Sequence, residues 1–243
     1  MKNPIVAGGK KKINCNSCHT REYCLPQSMS ANDIDDVNSI VITRKSIKKG
    51  QSLIRAGSDF HSIYTVRTGF FKTSITSPSG QEHLLDFRMT GDSLGLDGIA
   101  KKVHLTDSIA LEDSNVCIIQ YQDIEKMSKI STVFLNHIFN LMSKELNREN
   151  YNLLMLQMNA EERLARFLQN LTQNLKIRGY SPSELLLRMT RVEIGQYLGL
   201  KLETISRTFT KLSKSGVVSI NRRHLQILNL EALEKITGVT HKT

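Results

Sequence analysis

The chain has 243 residues, is 40% hydrophobic and carries 33 Lys+Arg against 23 Asp+Glu, a net charge of +10 at pH 7. That length holds one large domain or two ordinary ones, with enough apolar residues for a core. No stretch approaches the ~18 apolar residues of a membrane span, and "MKNPIVAGGKKK" has no signal-peptide core, so a membrane protein and an exported one are excluded as expectations.

The basic excess points to a polyanion partner, and it is unevenly placed. Residues 160–243 hold 14 Lys+Arg against 7 Asp+Glu, whereas residues 1–159 hold 19 against 16. A nucleic-acid site is therefore expected in the C-terminal third. A cytoplasmic location follows, and structural disulfides are rare there.

In chain order, residues 1–29 are polar, Gly/Lys-rich and then Cys-rich, with little to bury. Residues 30–130 begin as short segments rich in Ile, Val, Thr, Tyr and Phe: "SIVITRKSI", "QSLIRAG", "SIYTVRTGFFKTSITS", "HLLDFRM" and "SIALEDSNVCIIQY". Their alternation and the "SPSGQE" turn predict strands of a jelly roll, a double-stranded β-helix. Residues 131–158 lack Gly and Pro, and Phe139, Met142, Leu146, Glu149, Leu153 and Leu156 recur at spacings of 3 and 4. That is a heptad seam, expected to pair two subunits across a two-fold axis.

Residues 159–243 read as a winged helix-turn-helix. Asn159 and Glu162 cap one helix, Thr190 and Glu193 cap "RVEIGQYLGL", and Gly199 leads into "LETISRTFTKLSKSG". "VVSI" and "LQIL" then form a hairpin wing. The fold class is thus α+β: a jelly-roll sensor domain, a dimerisation helix and a DNA-binding domain.

The second helix of such a motif enters the major groove by its N-terminal residues. Glu203, Ser206 and Arg207 share one face there, and their chemistry suits cytosine N4, either base edge, and guanine O6/N7 respectively. Thr204 supports that face. Lys201, Lys211, Lys214, Arg222 and Arg223 suit phosphates. Ile205, Phe209, Leu202 and Leu212 are expected to face the domain core.

Four cysteines remain, Cys15, Cys18 and Cys24 in "C-x2-C-x5-C" and Cys117 far along the chain. Burial accounts for Cys117 alone, and a disulfide suits the compartment poorly. Structural zinc takes four such ligands, usually as two close pairs, and His19 is a possible substitute. An iron–sulfur cluster also takes four thiolates and accepts a local trio with one remote ligand. Both metals stay open on spacing. No GxGxxG, P-loop, HExxH or paired nucleophile and base suggests an enzyme.

Together the Cys-rich start, the strand-rich run, the seam helix and "VEIGQYLGLKLETISR" resemble the FNR branch of the CRP/FNR transcription regulators. The likeness runs from about Cys15 to the last helix, and "NAEERLARFLQNL" and "LGLKLETISRTF" are its most specific segments. It implies that Cys15, Cys18, Cys24 and Cys117 hold one oxygen-labile 4Fe–4S cluster per subunit. It further implies a homodimer whose Glu203, Ser206 and Arg207 read a palindrome resembling TTGAT-N4-ATCAA in double-stranded DNA, activating or repressing genes of anaerobic growth. RNA polymerase is the implied partner, with "SPSGQE" and "RGYSPSE" as contact candidates. Zinc stabilisation without a cluster is the alternative. The cyclic-nucleotide branch is set aside: Leu96 follows Gly95 where an acid is expected, and "KKVHLTDSIA" has no Arg-Ser pair to grip a phosphate. Glu149 in the seam is expected to oppose its own copy and keep dimerisation marginal, unless a neighbour such as Arg148 pairs with it.

Overall fold

The computed structural model describes residues 14–238, so the Gly/Lys-rich start lies outside the described residues. A one-turn helix α1 (Arg21–Cys24) and α2 (Ala31–Ile40) precede the strands β1 (Val41–Ile47), β2 (Ser52–Ile54), β3 (Ser62–Thr68), β4 (Phe70–Thr76), β5 (Glu82–Met89), β6 (Ser93–Leu94), β7 (Asp107–Ala110) and β8 (Ser114–Gln120). These form two antiparallel four-stranded sheets, in the orders β1-β8-β3-β6 and β2-β7-β4-β5. Ile47, Val66, Leu94 and Val116 from one sheet meet Leu53, Ile54, Phe71 and Ala110 from the other in a shared core. The alternating segments therefore form the expected jelly roll. Gly69 joins β3 to β4 at φ +106°, where a Cβ would lie 2.0 Å from Ser114 Oγ. The close approach of β8 admits only glycine.

Two helices depart from the expected run of strands. α2 is capped by Ser30 and Asp33 and buries Ile34, Val37 and Ile40. α3 (Tyr121–Ile130) follows β8 and buries Ile124 and Met127. Both pack on the outer face of the β1-β8-β3 sheet with Phe134 of the next helix.

That helix, α4 (Thr132–Met155), is shorter than the expected 131–158; Leu156 follows it as a cap. It has two working faces. Glu145, Arg148, Asn152 and Met155, spaced 3, 4 and 3, turn toward their own chain. Arg88 donates to both Glu145 oxygens at 2.7 and 2.6 Å, and Arg148 reaches Asp86 at 2.7 Å. Asp92 forms an ion pair with Arg148 at 3.5 Å and accepts from Arg178 at 3.0 Å. Asn152 accepts from the Tyr197 hydroxyl at 3.0 Å. The opposite face carries the seam. Phe139, Leu146, Leu153 and Leu156 are 58–68% exposed in the single chain, Glu149 is exposed too, and Met142 is half-buried. Arg148 is thus committed to Asp86 and Asp92, which removes the alternative that it pairs with Glu149.

The C-terminal part contains α5 (Ala160–Ile177), β9 (Glu184–Leu186), α6 (Arg191–Leu198), α7 (Leu202–Lys214), β10 (Val218–Asn221), β11 (His224–Ile227) and α8 (Leu230–Thr237). β9 adds a third strand to the expected hairpin wing, giving the order β10-β11-β9. Asn159/Glu162 and Thr190/Glu193 both form capping boxes. Arg163 donates to the carbonyls of Leu156, Met158 and Leu198, closing the open ends of α4 and α6 together. One core joins this part to β5: Phe87 packs against Phe167 and Tyr197 with ring centroids 6.0 and 5.4 Å apart. Among the described residues no helix is long and apolar enough to cross a membrane.

Candidate metal centre and nucleic-acid interface

The four cysteines, 15–24 and 117, come together. All are free and half-buried. Cys15 is pinned by its N–H donating to Asn38 Oδ1 of α2 at 2.7 Å. The Cys18 N–H donates to the Cys15 carbonyl at 3.2 Å, and α1 carries Cys24. Cys117 sits in mid-strand on β8, opposite Arg44 of β1 and Thr65 of β3. Their side chains surround one cavity of about 60 Å³, whose other walls include Val37, Ile119, Phe134, Ile138 and Leu141. Among the described residues no three His, Cys, Asp or Glu side chains already converge on one point. The sulfurs line a cavity instead.

Burial dominates their chemistry. It pushes the Cys15 thiol up to about 11, helped by Cys117 and Cys18, and the Cys24 thiol up to about 12. Cys117 is raised for the same reason. Cys18 differs: burial opposes its thiolate, but hydrogen bonds from the Thr20 hydroxyl and N–H and from Arg67 outweigh it and lower the pKa. His137 of α4 also faces the cavity, and burial pushes its pKa down to about 4. It is neutral near pH 7.

A 4Fe–4S group fits this donor set. A cubane takes one thiolate per iron from four separated corners, and an apolar wall limits water around it. No carboxylate lines the cavity among the described residues, as a hydrated hard cation would require. Cys15, Cys18, Cys24 and Cys117 would hold it. Sequence reasoning missed Thr20, Arg67, Arg44 and His137, because their closeness depends on strand register and helix placement.

The second site is α6 and α7. Gly199 sits at φ +65° between them, and at Gly195 a Cβ would stand 2.7 Å from the Leu200 carbonyl oxygen. Ile205, Thr208, Phe209 and Leu212 anchor α7 in the core. Leu202, expected in that core, is 43% exposed because it lies in the first turn, beyond the reach of α6. Glu203 and Arg207 are exposed on the free face, with Ser206 and Thr204 half-buried beside them. Lys201, Lys214, Arg222 and Arg223 are also exposed, the last two at the wing tip between β10 and β11. Lys211 pairs with Glu161 of α5.

Residues 162–236 match the Crp-like helix-turn-helix domain, and residues 44–131 match the cyclic nucleotide-binding domain. The chain is 36% identical over 239 residues to the fumarate and nitrate reduction regulatory protein of Vibrio cholerae, covering 98% of this chain and 96% of that one. It is 35% identical over 236 residues to the protein of the same name from Escherichia coli, covering 97% and 94%. The solved structure of FixK2 from Bradyrhizobium japonicum is similar with a TM-score of 0.73 and 25% identity, covering 82% of this chain and 98% of that one. The jelly roll, the long helix, the winged helix-turn-helix and these likenesses agree: the chain is a DNA-binding transcription regulator, not an enzyme, and belongs to the FNR branch of the CRP/FNR family.

Proposed function

We propose that the protein is a cytoplasmic, oxygen-responsive regulator of anaerobic gene expression that holds one 4Fe–4S cluster per subunit and binds a palindromic DNA site as a homodimer. The observation that carries this reading is the meeting of four cysteines around one apolar cavity whose wall includes α4. The names of the relatives, among them the anaerobic regulatory protein of Haemophilus influenzae, support it. When bound, the cluster supplies an oxygen-labile link between the N-terminal segment and the sheet. This chain's residues do the rest. The trio on the α1 segment and Cys117 on β8 draw that segment over the first turns of α4, where Phe134, His137 and Ile138 meet it. The ordered α4 then presents its apolar seam to a second copy.

Dimerisation places two α7 helices about one DNA turn apart, ~34 Å, so loss of the partner loses half the specific contacts. Glu203, Ser206 and Arg207 read bases in each half-site, with Thr204 behind them. Lys201, Lys214, Arg222 and Arg223 hold phosphates, and Lys211 joins them by leaving Glu161. Arg207→Ala is expected to weaken binding to the palindrome by about 1–3 kcal/mol per half-site and relax discrimination there. Lys214→Ala should weaken all sequences alike and reduce the salt slope by ~1. Quantitative gel-shift or anisotropy titrations against matched and scrambled DNA separate the two effects.

Glu149 keeps the dimer marginal. Although the residue is exposed, desolvation of its carboxylate and the charges of Asp86 and Glu145 outweigh Arg88 and an Asn152 hydrogen bond and raise its pKa even in one chain. A second Glu149 across the seam raises it further, so dimerisation takes up protons and strengthens as pH falls. That gain is lost as pH rises through the shifted pKa. Metal-free Glu149→Leu should dimerise roughly tenfold or more tightly and lose this pH dependence, as read by sedimentation. Unchanged association would remove Glu149 from the account.

The turn 77–82 and the segment 178–184, exposed except at Ser77 and Arg178, are the surfaces offered to RNA polymerase. No cyclic nucleotide enters this reading. Leu96 follows Gly95, Asp97 is engaged by Leu105, Thr106 and His104, and Arg88 is engaged by Glu145. The direct test is the visible spectrum and metal content of protein purified without air. A brown protein with ~4 iron and 4 sulfide per subunit is expected. A colourless protein with one zinc would overturn the cluster and favour structural zinc.

A further inference from the structure

Thr20 lines the cysteine cavity, whose walls are largely hydrocarbon, and Arg67 and Arg44 flank it from β3 and β1. Thr20 is 2% exposed. Its Oγ1 lies 3.2 Å from Cys18 Sγ and 3.8 Å from Cys24 Sγ. The Cys24 thiol donates to that hydroxyl, which leaves the hydroxyl proton free for Cys18. The Thr20 N–H also helps lower the pKa of the Cys18 thiol. Arg67 lies on β3 two residues from Thr65 of the cavity wall, its Nε is buried with no hydrogen-bond partner among the described residues, and its positive charge helps lower the pKa of the Cys18 thiol. On the other side, Arg44 stands opposite Cys117 in the β1–β8 register, and its charge opposes the rise in the pKa of the Cys117 thiol.

A buried guanidinium N–H without an acceptor is costly, and so is a bare thiolate in an apolar cavity. Four thiolates on one cluster leave a net negative charge, which these donors are arranged to meet. Hydrogen bonds to sulfur and nearby positive charge are recognised levers on an iron–sulfur potential. They stabilise the electron-rich sulfur, make the reduced state easier to reach and make oxidative loss harder.

We propose that Arg67 and Thr20 at Cys18, with Arg44 at Cys117, are positioning residues that donate to the cluster's thiolate sulfurs and thereby set its reduction potential and its resistance to oxygen. This rests on the 4Fe–4S reading above. The donors are unequal. Arg67 brings a full charge and an unused buried donor, so its removal has the largest effect. Thr20 brings a neutral hydroxyl whose backbone N–H survives substitution. Arg44 is exposed to solvent and has the smallest effect.

The test compares wild type, Arg67→Leu, Arg67→Lys and Thr20→Val, each reconstituted without air. Three quantities are read: the midpoint potential of the cluster, the rate at which air bleaches it, and the melting temperature of the metal-free protein. Arg67→Leu is expected to lower the potential and bleach roughly tenfold faster, the size of one charged hydrogen bond. Arg67→Lys should recover most of both, and Thr20→Val should move both the same way by less. Metal-free Arg67→Leu should melt close to wild type, because what Arg67 gives Cys18 there is offset by its buried Nε, which has no partner among the described residues. Should Arg67→Leu fail to take up a cluster, the lysine and valine variants decide the matter. Potentials and bleaching rates that match wild type would overturn the proposal while leaving the cluster reading intact. A lower metal-free melting temperature with no change in potential would make Arg67 a scaffold residue and likewise overturn it. Wild type without iron would overturn the cluster reading itself.

Discussion

Cys117→Ser leaves the metal-free fold standing and abolishes high-affinity binding to the palindrome. Cys117 sits in the middle of β8 between β1 and β3, so serine keeps the shape of the strand and changes one atom. The metal-free variant should therefore melt within ~1 kcal/mol of metal-free wild type. Its loss is chemical. Cys15, Cys18 and Cys24 lie on a short segment held by the Asn38 hydrogen bond, the α1 turn and the packing of Cys15 and Leu25. Only Cys117 ties that trio to the sheet through a metal. With three thiolates the cluster is not retained, the segment is not drawn over α4, and the dimer does not form. Iron content should fall to near zero. Affinity for the palindrome should drop at least ~100-fold, toward the level of non-specific binding. Iron analysis beside a DNA titration without air checks both, and a variant that loses iron yet binds DNA as wild type would break the link.

The second large effect concerns stability. Arg88 is 7% exposed and is held by both Glu145 oxygens, with Asp86 at 3.2 Å. Burial works against its charge, but Asp86 and Glu145 raise its pKa, so it stays protonated. Arg88→Met strands Glu145 and leaves Asp86 to Arg148 alone. Breaking such a buried pair costs about 3–5 kcal/mol, or roughly 6–20 °C in melting temperature for a chain of this size. The loss should spread along the chain's inner contacts, because Arg148 also reaches Asp92, and Asp92 holds Arg178 at the end of α5. Adding Glu145→Gln to Arg88→Met should recover part of the loss, since the stranded charge is then gone. Thermal melts of the two single variants and the double variant read this coupling. Additive losses would show that the pair is not coupled.

Much of the fold was legible in the sequence where local rules agree with the final packing. Asn159/Glu162, Thr190/Glu193 and Gly199 mark helix ends by local hydrogen bonds and backbone sterics, so the winged domain could be traced. The jelly-roll strands showed their alternation. α2 was missed because Ile40, Val41 and Ile42 form one apolar run across the junction of helix and strand, although Ser30 and Asp33 already spelled a cap. α3 was missed because it buries few apolar residues within a polar stretch. β9 was hidden because its partner β11 lies some forty residues on.

The sites follow the same division. The cysteine spacing and the α7 face are local patterns, and both could be picked out. The inner face of α4 was not legible: Glu145, Arg148 and Asn152 look like a solvated stripe until β5 brings Asp86 and Arg88 against them. Arg67 and Arg44 flank the cysteine cavity only through the register of β3 and β1 with β8. Thr20 sat inside the cysteine motif all along, but its burial is a tertiary fact.

The central claim is that iron at the four cysteines controls the second half-site contact through dimerisation. One titration tests it most directly. A single preparation made without air is titrated against the palindrome and sized by sedimentation, then exposed to air and measured again. The account predicts a brown dimer that binds tightly, followed by a bleached monomer whose affinity is at least ~100-fold weaker. An air-bleached protein that remains dimeric and binds the palindrome with unchanged affinity would contradict it.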